Sequence, residues 1–199
     1  MLVGILSLQG ESAAHREVLR SLGIESRSVR AREDLEGVVG LVLPGGESST
    51  QALLLRELGL LPLLAERVLS GIPVLATCAG LVLLAERVGR RPGLIPVLDI
   101  AIERNGFGSQ RYSFEAEISG HRSLFIRAPR IRRVGPSVTT LGEFEGEPVV
   151  VAQGPIVASS FHPELSKDFW LHRRAFVDSV EIGHREMREH TEYDAWRSS

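Results

Sequence analysis

The chain has few of the residue types that would announce a specialised class of protein. It carries one cysteine, Cys78, among 199 residues. A single thiol excludes an intrachain disulfide and any multi-cysteine zinc site. Long apolar runs are missing too, because Arg, Glu or Gly interrupts each one before it reaches membrane length. Met1–Leu6 lacks the basic start and extended apolar core of a secretory signal. A soluble, cytoplasmic protein with no membrane partner is therefore expected. Neither sign of charge dominates: 25 acidic and 23 basic side chains leave a formal net charge of −2. That balance argues against a dedicated nucleic-acid or membrane-surface protein. Lysine occurs once, at 167, against 22 arginines, and asparagine once, at 105. Scarce Asn, Cys and Met suit heat adaptation, and genome composition accounts for the arginine bias equally well.

What is present reads first as alternating strands and helices. Leu2–Leu8 is a short apolar run. A helix follows, with Ala14, Val18, Leu19 and Leu22 on one face, and Gly23 stops it. Ile24–Val29 alternates as a half-buried strand does. Val38–Leu43 is continuously apolar and ends at Pro44-Gly45-Gly46. Ser48 or Ser49 is the expected cap of a helix over Gln51–Leu58. Leu60–Ser70 reads as a helix, Pro73–Thr77 as a fourth strand and Leu81–Val88 as a helix. This order predicts an α/β three-layer sandwich, with a mainly parallel central sheet and helices on both faces. Beyond about residue 95, short β-like runs at 96–103, 112–118, 123–127, 137–143, 148–152 and 156–160 predict antiparallel additions in the C-terminal half. A last helix is expected over Asp168–Val180. The length suits one domain. Its expected span is 1–182, leaving 183–199 as a polar tail that frays or docks on a partner.

In parallel α/β sheets, ligands bind at the carboxyl ends of the strands. Cys78 falls at such an end, in Val74-Leu75-Ala76-Thr77-Cys78-Ala79-Gly80. A sharp strand-to-helix turn there lifts the thiol out of the sheet and aims backbone N–H groups, Ala79 among them, at a developing oxyanion. Taken alone, the segment reads as well as a buried structural cysteine. His162-Pro163-Glu164 follows another apolar run. In extended chain, residues two apart share a side and lie roughly 7 Å apart at Cα. Glu164 can then orient the His162 ring while the ring's free nitrogen faces a thiol, the logic of a nucleophile, base and orienter. Leu43-Pro44-Gly45-Gly46-Glu47-Ser48-Ser49 offers glycine N–H groups for the second half of an oxyanion hole, and polar contacts for an amino acid. It reads equally as a tight turn with a helix cap. Gly-Lys-Ser/Thr is missing, so it is no P-loop. Arg127, Arg130, Arg132 and Arg133 cluster without interleaved aromatics, which does not suit single-stranded nucleic acid.

These segments, with Leu6–Gly10, Arg104–Gly108, Ser113–Glu115 and Phe125–Pro129, resemble the class I glutamine amidotransferases. Leu8-Gln9-Gly10, Gly45–Ser48, Arg104–Gly108 and Ile126–Pro129 resemble in particular the glutaminase subunits of pyridoxal 5′-phosphate synthases. The resemblance implies that Cys78 is the nucleophile and that His162 and Glu164 complete a triad. It implies an oxyanion hole at Gly46 and Ala79. Glutamine contacts are implied at Gly46, Glu47, Ser48, Arg104, Ile126 and Arg127. A loop facing the oxyanion site and the synthase is implied at Gln9, Gly10 and Gly45. The implied substrate is L-glutamine, hydrolysed to glutamate and ammonia with no cofactor and no metal. Ammonia would pass to a separate synthase subunit in a complex of 12 glutaminase and 12 synthase chains. Glutaminase activity would be low until docking, when a peptide near Gly45-Gly46 reorients. One departure stands out: Ala76 occupies a position, two before the nucleophile, where the class commonly has glycine. The glutaminase subunit of another amidotransferase, or a cysteine-based redox sensor on a similar fold, is the alternative reading.

Overall fold

The computed structural model describes residues 1–107, 113–166 and 168–178. In chain order its first elements are β1 (Leu2–Leu6), α1 (Ser12–Ser21), β2 (Glu25–Val29), β3 (Gly40–Leu43), α2 (Ser48–Glu57), α3 (Leu61–Leu69), β4 (Val74–Thr77) and α4 (Ala79–Leu84). Then come β5 (Ala85–Val88), β6 (Arg91–Pro92), β7 (Leu98–Glu103), β8 (Phe114–Ile118), β9 (His121–Phe125) and β10 (Arg130–Val134). The last are β11 (Thr139–Phe144), β12 (Glu147–Gln153), β13 (Ile156–Ser159) and α5 (Trp170–Arg173).

The apolar runs of β3, β4 and β13 are buried at every residue because both faces of the sheet are covered. Alternate residues feed separate cores. Leu41, Leu43, Val74, Ala76 and Ala158 pack with Leu55, Leu64, Val68 and Leu81 from α2, α3 and α4. Val42, Leu75 and Val157 pack with Leu19 of α1, Leu171 of α5, and Phe125. Each fully buried leucine or valine stabilises the fold by about 1.5–3 kcal/mol. The expected three layers are thus present. The methyl of Ala76 is absorbed into the first of these cores.

The central sheet runs β2-β1-β3-β4-β13-β12-β11. The first five strands are parallel, and β12 and β11 extend them antiparallel. A four-stranded sheet, β10-β7-β5-β6, and the β8–β9 hairpin complete the described strands. The hairpin turns at Ser119-Gly120, where both residues have positive φ (52° and 82°).

Several local readings need correction. The helix expected over Leu81–Val88 ends at Leu84, and Ala85–Val88 is β5, paired parallel to β7 and antiparallel to β6. Leu-Leu-Ala-Glu-Arg-Val suits a helix locally, but pairing with distant strands overrides that preference. The cap of α2 is Glu47, whose carboxylate accepts the Ser49 N–H at 3.2 Å, so the helix begins at Ser48 rather than Gln51. The run at 123–127 is shifted: β9 stops at Phe125 and releases Ile126 and Arg127. The arginine-rich Arg130–Val134, not expected as a strand, pairs antiparallel with β7. The last helix starts at Trp170 and widens after Arg173 into a π-type turn through Asp178. Residues 179–180 of that helix, Gly108, Tyr112 and the 183–199 tail lie outside the described residues.

Candidate active site

The carboxyl ends of β1, β3, β4 and β13 converge on one cavity of about 320 Å³, a size suited to a small ligand. Cys78 joins β4 to α4 with φ 47° and ψ −100°. A side chain is held in that strained region only when its surroundings over-determine it, at a cost of order 1–3 kcal/mol. Here the Cys78 N–H is tied to the Ser159 carbonyl of β13 at 2.8 Å. Among the described residues, five non-glycine residues have positive φ; Ser119 and Glu145 occupy hairpin turns, while Cys78, Asn105 and Arg127 all line the cavity. The strain therefore concentrates at the site.

The His162 Nδ1 lies 2.8 Å from Glu164 Oε1. The ring is held by backbone as well: the His162 N–H donates to Leu124 O at 2.9 Å. That leaves Nε2 for the Cys78 thiol, which also donates weakly to Ile126 O at 3.8 Å. Burial alone would push the His162 imidazolium down. Hydrogen bonds to Cys78 and Glu164 and the Glu164 charge outweigh it and raise the ring to about 10. Burial would raise Glu164, but His15 and the bond to His162 hold it at about 2. The trio therefore favours an ion pair between base and orienter, with a sulfur close by.

The other predicted residues fall into place around it. Gly46, Glu47, Ser48, Ala79, Arg104, Ile126, Arg127, Gln9 and Gly10 line the cavity with Cys78 and His162. Glu164 does not; it stands behind His162, buried. Gly45 packs beneath the ring, with no room for a side chain. Gln9 straps the glycine loop, its Oε1 accepting the Glu47 N–H at 2.7 Å. Among the described residues, neither the Gly46 nor the Ala79 N–H has a backbone or side-chain acceptor. Both are thus available to an incoming oxyanion. At the mouth, Glu47 Oε1 pairs with Arg104 at 2.7 Å, and Oε2 lies 3.8 Å from Arg127. The Ser49 N–H, then the two arginines, hold the Glu47 carboxyl below its usual range. One carboxylate and two guanidiniums suit an amino acid's ammonium and carboxylate.

The sequence reading missed three residues behind the site. His15 contacts Glu164 from α1, His172 backs His15 from α5, and Thr77 Oγ1 accepts the Gly45 N–H at 3.0 Å. His15 stands three and four residues before Val18 and Leu19, so helical spacing already placed it on the buried face. No comparable signal marked His172, for which the sequence predicts only a last helix over Asp168–Val180. Among the described residues, no cluster of three His, Cys, Asp or Glu side chains is placed to hold a metal. No helix among them is long and apolar enough to cross a membrane.

Known proteins give this geometry a family. The profile of the SNO glutamine amidotransferase family matches residues 5–182. A pyridoxal 5′-phosphate synthase subunit PdxT from Thermotoga neapolitana is 45% identical over 181 residues, covering 87% of this chain and 96% of that protein. Its namesake from Thermotoga maritima is 44% identical over 181 residues, with coverage of 87% and 96%. A crystal structure of a glutamine amidotransferase superposes with a TM-score of 0.80 at 44% identity, covering 87% of this chain and 96% of that one. Because the match runs from the first strand of the sheet past the last described helix, the chain belongs to the SNO glutamine amidotransferase family.

Proposed function

We propose that the chain hydrolyses L-glutamine to L-glutamate and ammonia, and delivers the ammonia to a separate synthase subunit for pyridoxal 5′-phosphate synthesis. The observation that carries the chemistry is Cys78, at a strained strand–helix turn, facing a His162 whose far nitrogen is bound to Glu164 at 2.8 Å. The pathway rests on the likeness to synthase subunits across nearly their whole length.

The Cys78 thiolate attacks the side-chain amide carbon of glutamine. The Gly46 and Ala79 N–H groups take the developing oxyanion, a contribution of about 3–4 kcal/mol per donor. His162 passes its Nε2 proton to the departing nitrogen, which leaves as ammonia. Water then gives a proton to His162 and attacks the glutamyl thioester, freeing glutamate and regenerating the thiol. Glu164 keeps Nε2 aimed and stabilises the imidazolium that precedes ammonia release and forms again when water gives up its proton. Glu47 receives the substrate ammonium, Arg104 and Arg127 its carboxylate, and Ser48 and Ile126 close the pocket beside them. Gln9, Gly10 and Gly45 set the loop that meets the synthase. No step calls for a metal or an organic cofactor. Residues 1–182 act as the amidotransferase domain, with 183–199 beyond it. The assembly is cytoplasmic, with 12 chains of each kind.

Glutamate release measured with and without a purified pyridoxal 5′-phosphate synthase subunit tests both halves. Strong stimulation by the partner is expected. Undiminished turnover without it would keep the glutaminase and remove the pathway. No turnover in either condition, or full turnover in Cys78→Ala, would overturn the chemistry.

A further inference from the structure

The site extends inward past Glu164 into two buried histidines that the mechanism above does not use. His15 and His172 are both fully buried. His15 Nδ1 lies 2.9 Å from His172 Nε2. His15 Nε2 lies 3.2 Å from Thr77 Oγ1 and 3.5 Å from Glu164 Oε2. Among the described residues, the buried Glu164 Oε2 has no hydrogen-bond partner, and neither has the His172 Nδ1. Burying polar atoms this way costs free energy unless their protonation suits the surroundings.

The pattern fixes the protons. Burial pushes both rings down, His172 to about 3 with His15 beside it adding to the effect, so both are neutral near pH 7. The groups facing His15 are Glu164, His162, Glu11 and His172. A neutral His172 has one N–H. Placing it on Nδ1 would bury a donor with no acceptor, so it belongs on Nε2 and is donated to His15 Nδ1. His15 then carries its own proton on Nε2, pointing toward the Glu164 carboxylate and the Thr77 oxygen. The opposite tautomer would aim a lone pair at an anion. Thr77 in turn accepts the Gly45 N–H at 3.0 Å, under the loop that offers the Gly46 N–H.

We propose that His15 is a positioning residue for glutamine hydrolysis, its Nε2–H joining the orienting carboxylate of Glu164 to Thr77 and so to the oxyanion loop. His172 sets the His15 tautomer from behind. One side chain on α1 thereby holds the base and the oxyanion donors in a common register. The inference rests on the reading of Cys78, His162 and Glu164 as the reacting triad.

The test compares His15→Phe, His15→Gln and His172→Leu, with His162→Asn as reference. Turnover of glutamine is measured in the complex with the synthase subunit. Alkylation of Cys78 by iodoacetamide is followed against pH on the chain alone, where the single cysteine makes the signal unambiguous. His15→Phe is expected to lower kcat about 10–100-fold, with KM within about twofold, and to displace the alkylation profile. His15→Gln keeps an N–H donor near the Nε2 position and is expected to recover kcat to within about fivefold of the parent. His172→Leu, which frees the His15 tautomer, is expected to move kcat and the profile in the same direction by a smaller factor. A folded His15→Phe with parental kcat and profile would overturn the proposal. So would equal losses in His15→Phe and His15→Gln with an unmoved profile, which would mean a merely structural role. If His15→Phe does not fold, a parental kcat and profile in His172→Leu overturns it instead. His162→Asn separates the two levels: an unchanged profile and turnover there would remove the triad itself, whatever the His15 variants do.

Discussion

Gly45→Ala isolates how much of the chemistry depends on where the His162 ring stands. A methyl at residue 45 would meet the ring broadside, 2.8 Å from Nδ1 and 3.2 Å from Nε2, with Cε1 nearer still. Gly45 does not have a left-handed φ, so the exclusion is steric rather than conformational. Ordinary contact between such atoms is about 3.5–4.0 Å, and the ring must retreat by about 1 Å to reach it. Retreat strains the 2.8 Å bond to Glu164 and draws Nε2 away from Cys78. Overpacking of this kind costs about 1–3 kcal/mol of stability, which lowers Tm by about 2–12 °C for a chain of this length. A misplacement of about 1 Å at a reacting group costs about 100-fold in rate. The expected outcome is a folded protein whose kcat for glutamine falls about 100-fold, with KM changed far less. Glutamate release in the synthase complex measures the first, and thermal unfolding the second. A Gly45→Ala variant with kcat within threefold of the parent would refute the claim that ring placement limits the reaction.

Other outcomes follow from the same geometry. Glu164→Gln is expected to cost less in kcat than His162→Asn, because an orienter is partly dispensable and a base is not; the reverse ranking in steady-state turnover would exchange their roles. Arg127→Met removes a guanidinium from the cavity mouth and should raise KM for glutamine about 10-fold or more, the worth of one charged hydrogen bond, with kcat little changed; an unchanged KM would place the substrate carboxylate elsewhere. Stability should fall on acidification. His172 is depressed to about 3 in the folded chain, below its unfolded value near 6.5, so its contribution is complete above pH 6.5 and drains away as pH drops toward 3. His172→Leu should flatten that slope of unfolding free energy by about 1.4 kcal/mol per pH unit. An identical slope in denaturant titrations at pH 6.5 and 5 would mean the ring takes up its proton without unfolding.

Much of the layout was legible because its signals are local. Val38–Leu43 and Pro73–Thr77 are continuous apolar runs, and such runs suit strands buried on both faces. Cys78 between a strand and a helix, and His162 two residues before Glu164, follow from strand ends and the two-residue period. The failures are equally physical. Ala85–Val88 has a helical pattern but serves as β5, because partners from β6 and β7 supply its hydrogen bonds. Arg130–Val134 reads as a solvated basic cluster, yet Arg130, Arg132 and Arg133 each find a carboxylate, at Glu147, Glu103 and Asp99, once β10 lies along β7. Ile126 and Arg127 read as strand and turn out to be the release from it, with Arg127 at positive φ in the cavity wall.

The sequence by itself determined the parallel α/β order and the strand-end loops, and it singled out Cys78, His162 and Glu164 as candidates, since each depends on neighbours within a few positions. Only the tertiary structure decided what lies behind them. His15, Thr77, Glu164 and His172 come from α1, β4, the turn after β13 and α5, and His15 is separated from Glu164 by 149 positions of chain. No periodicity spans that distance; the contact exists because α1 and α5 cover the same face of the sheet and press their buried rings together beneath its carboxyl edge.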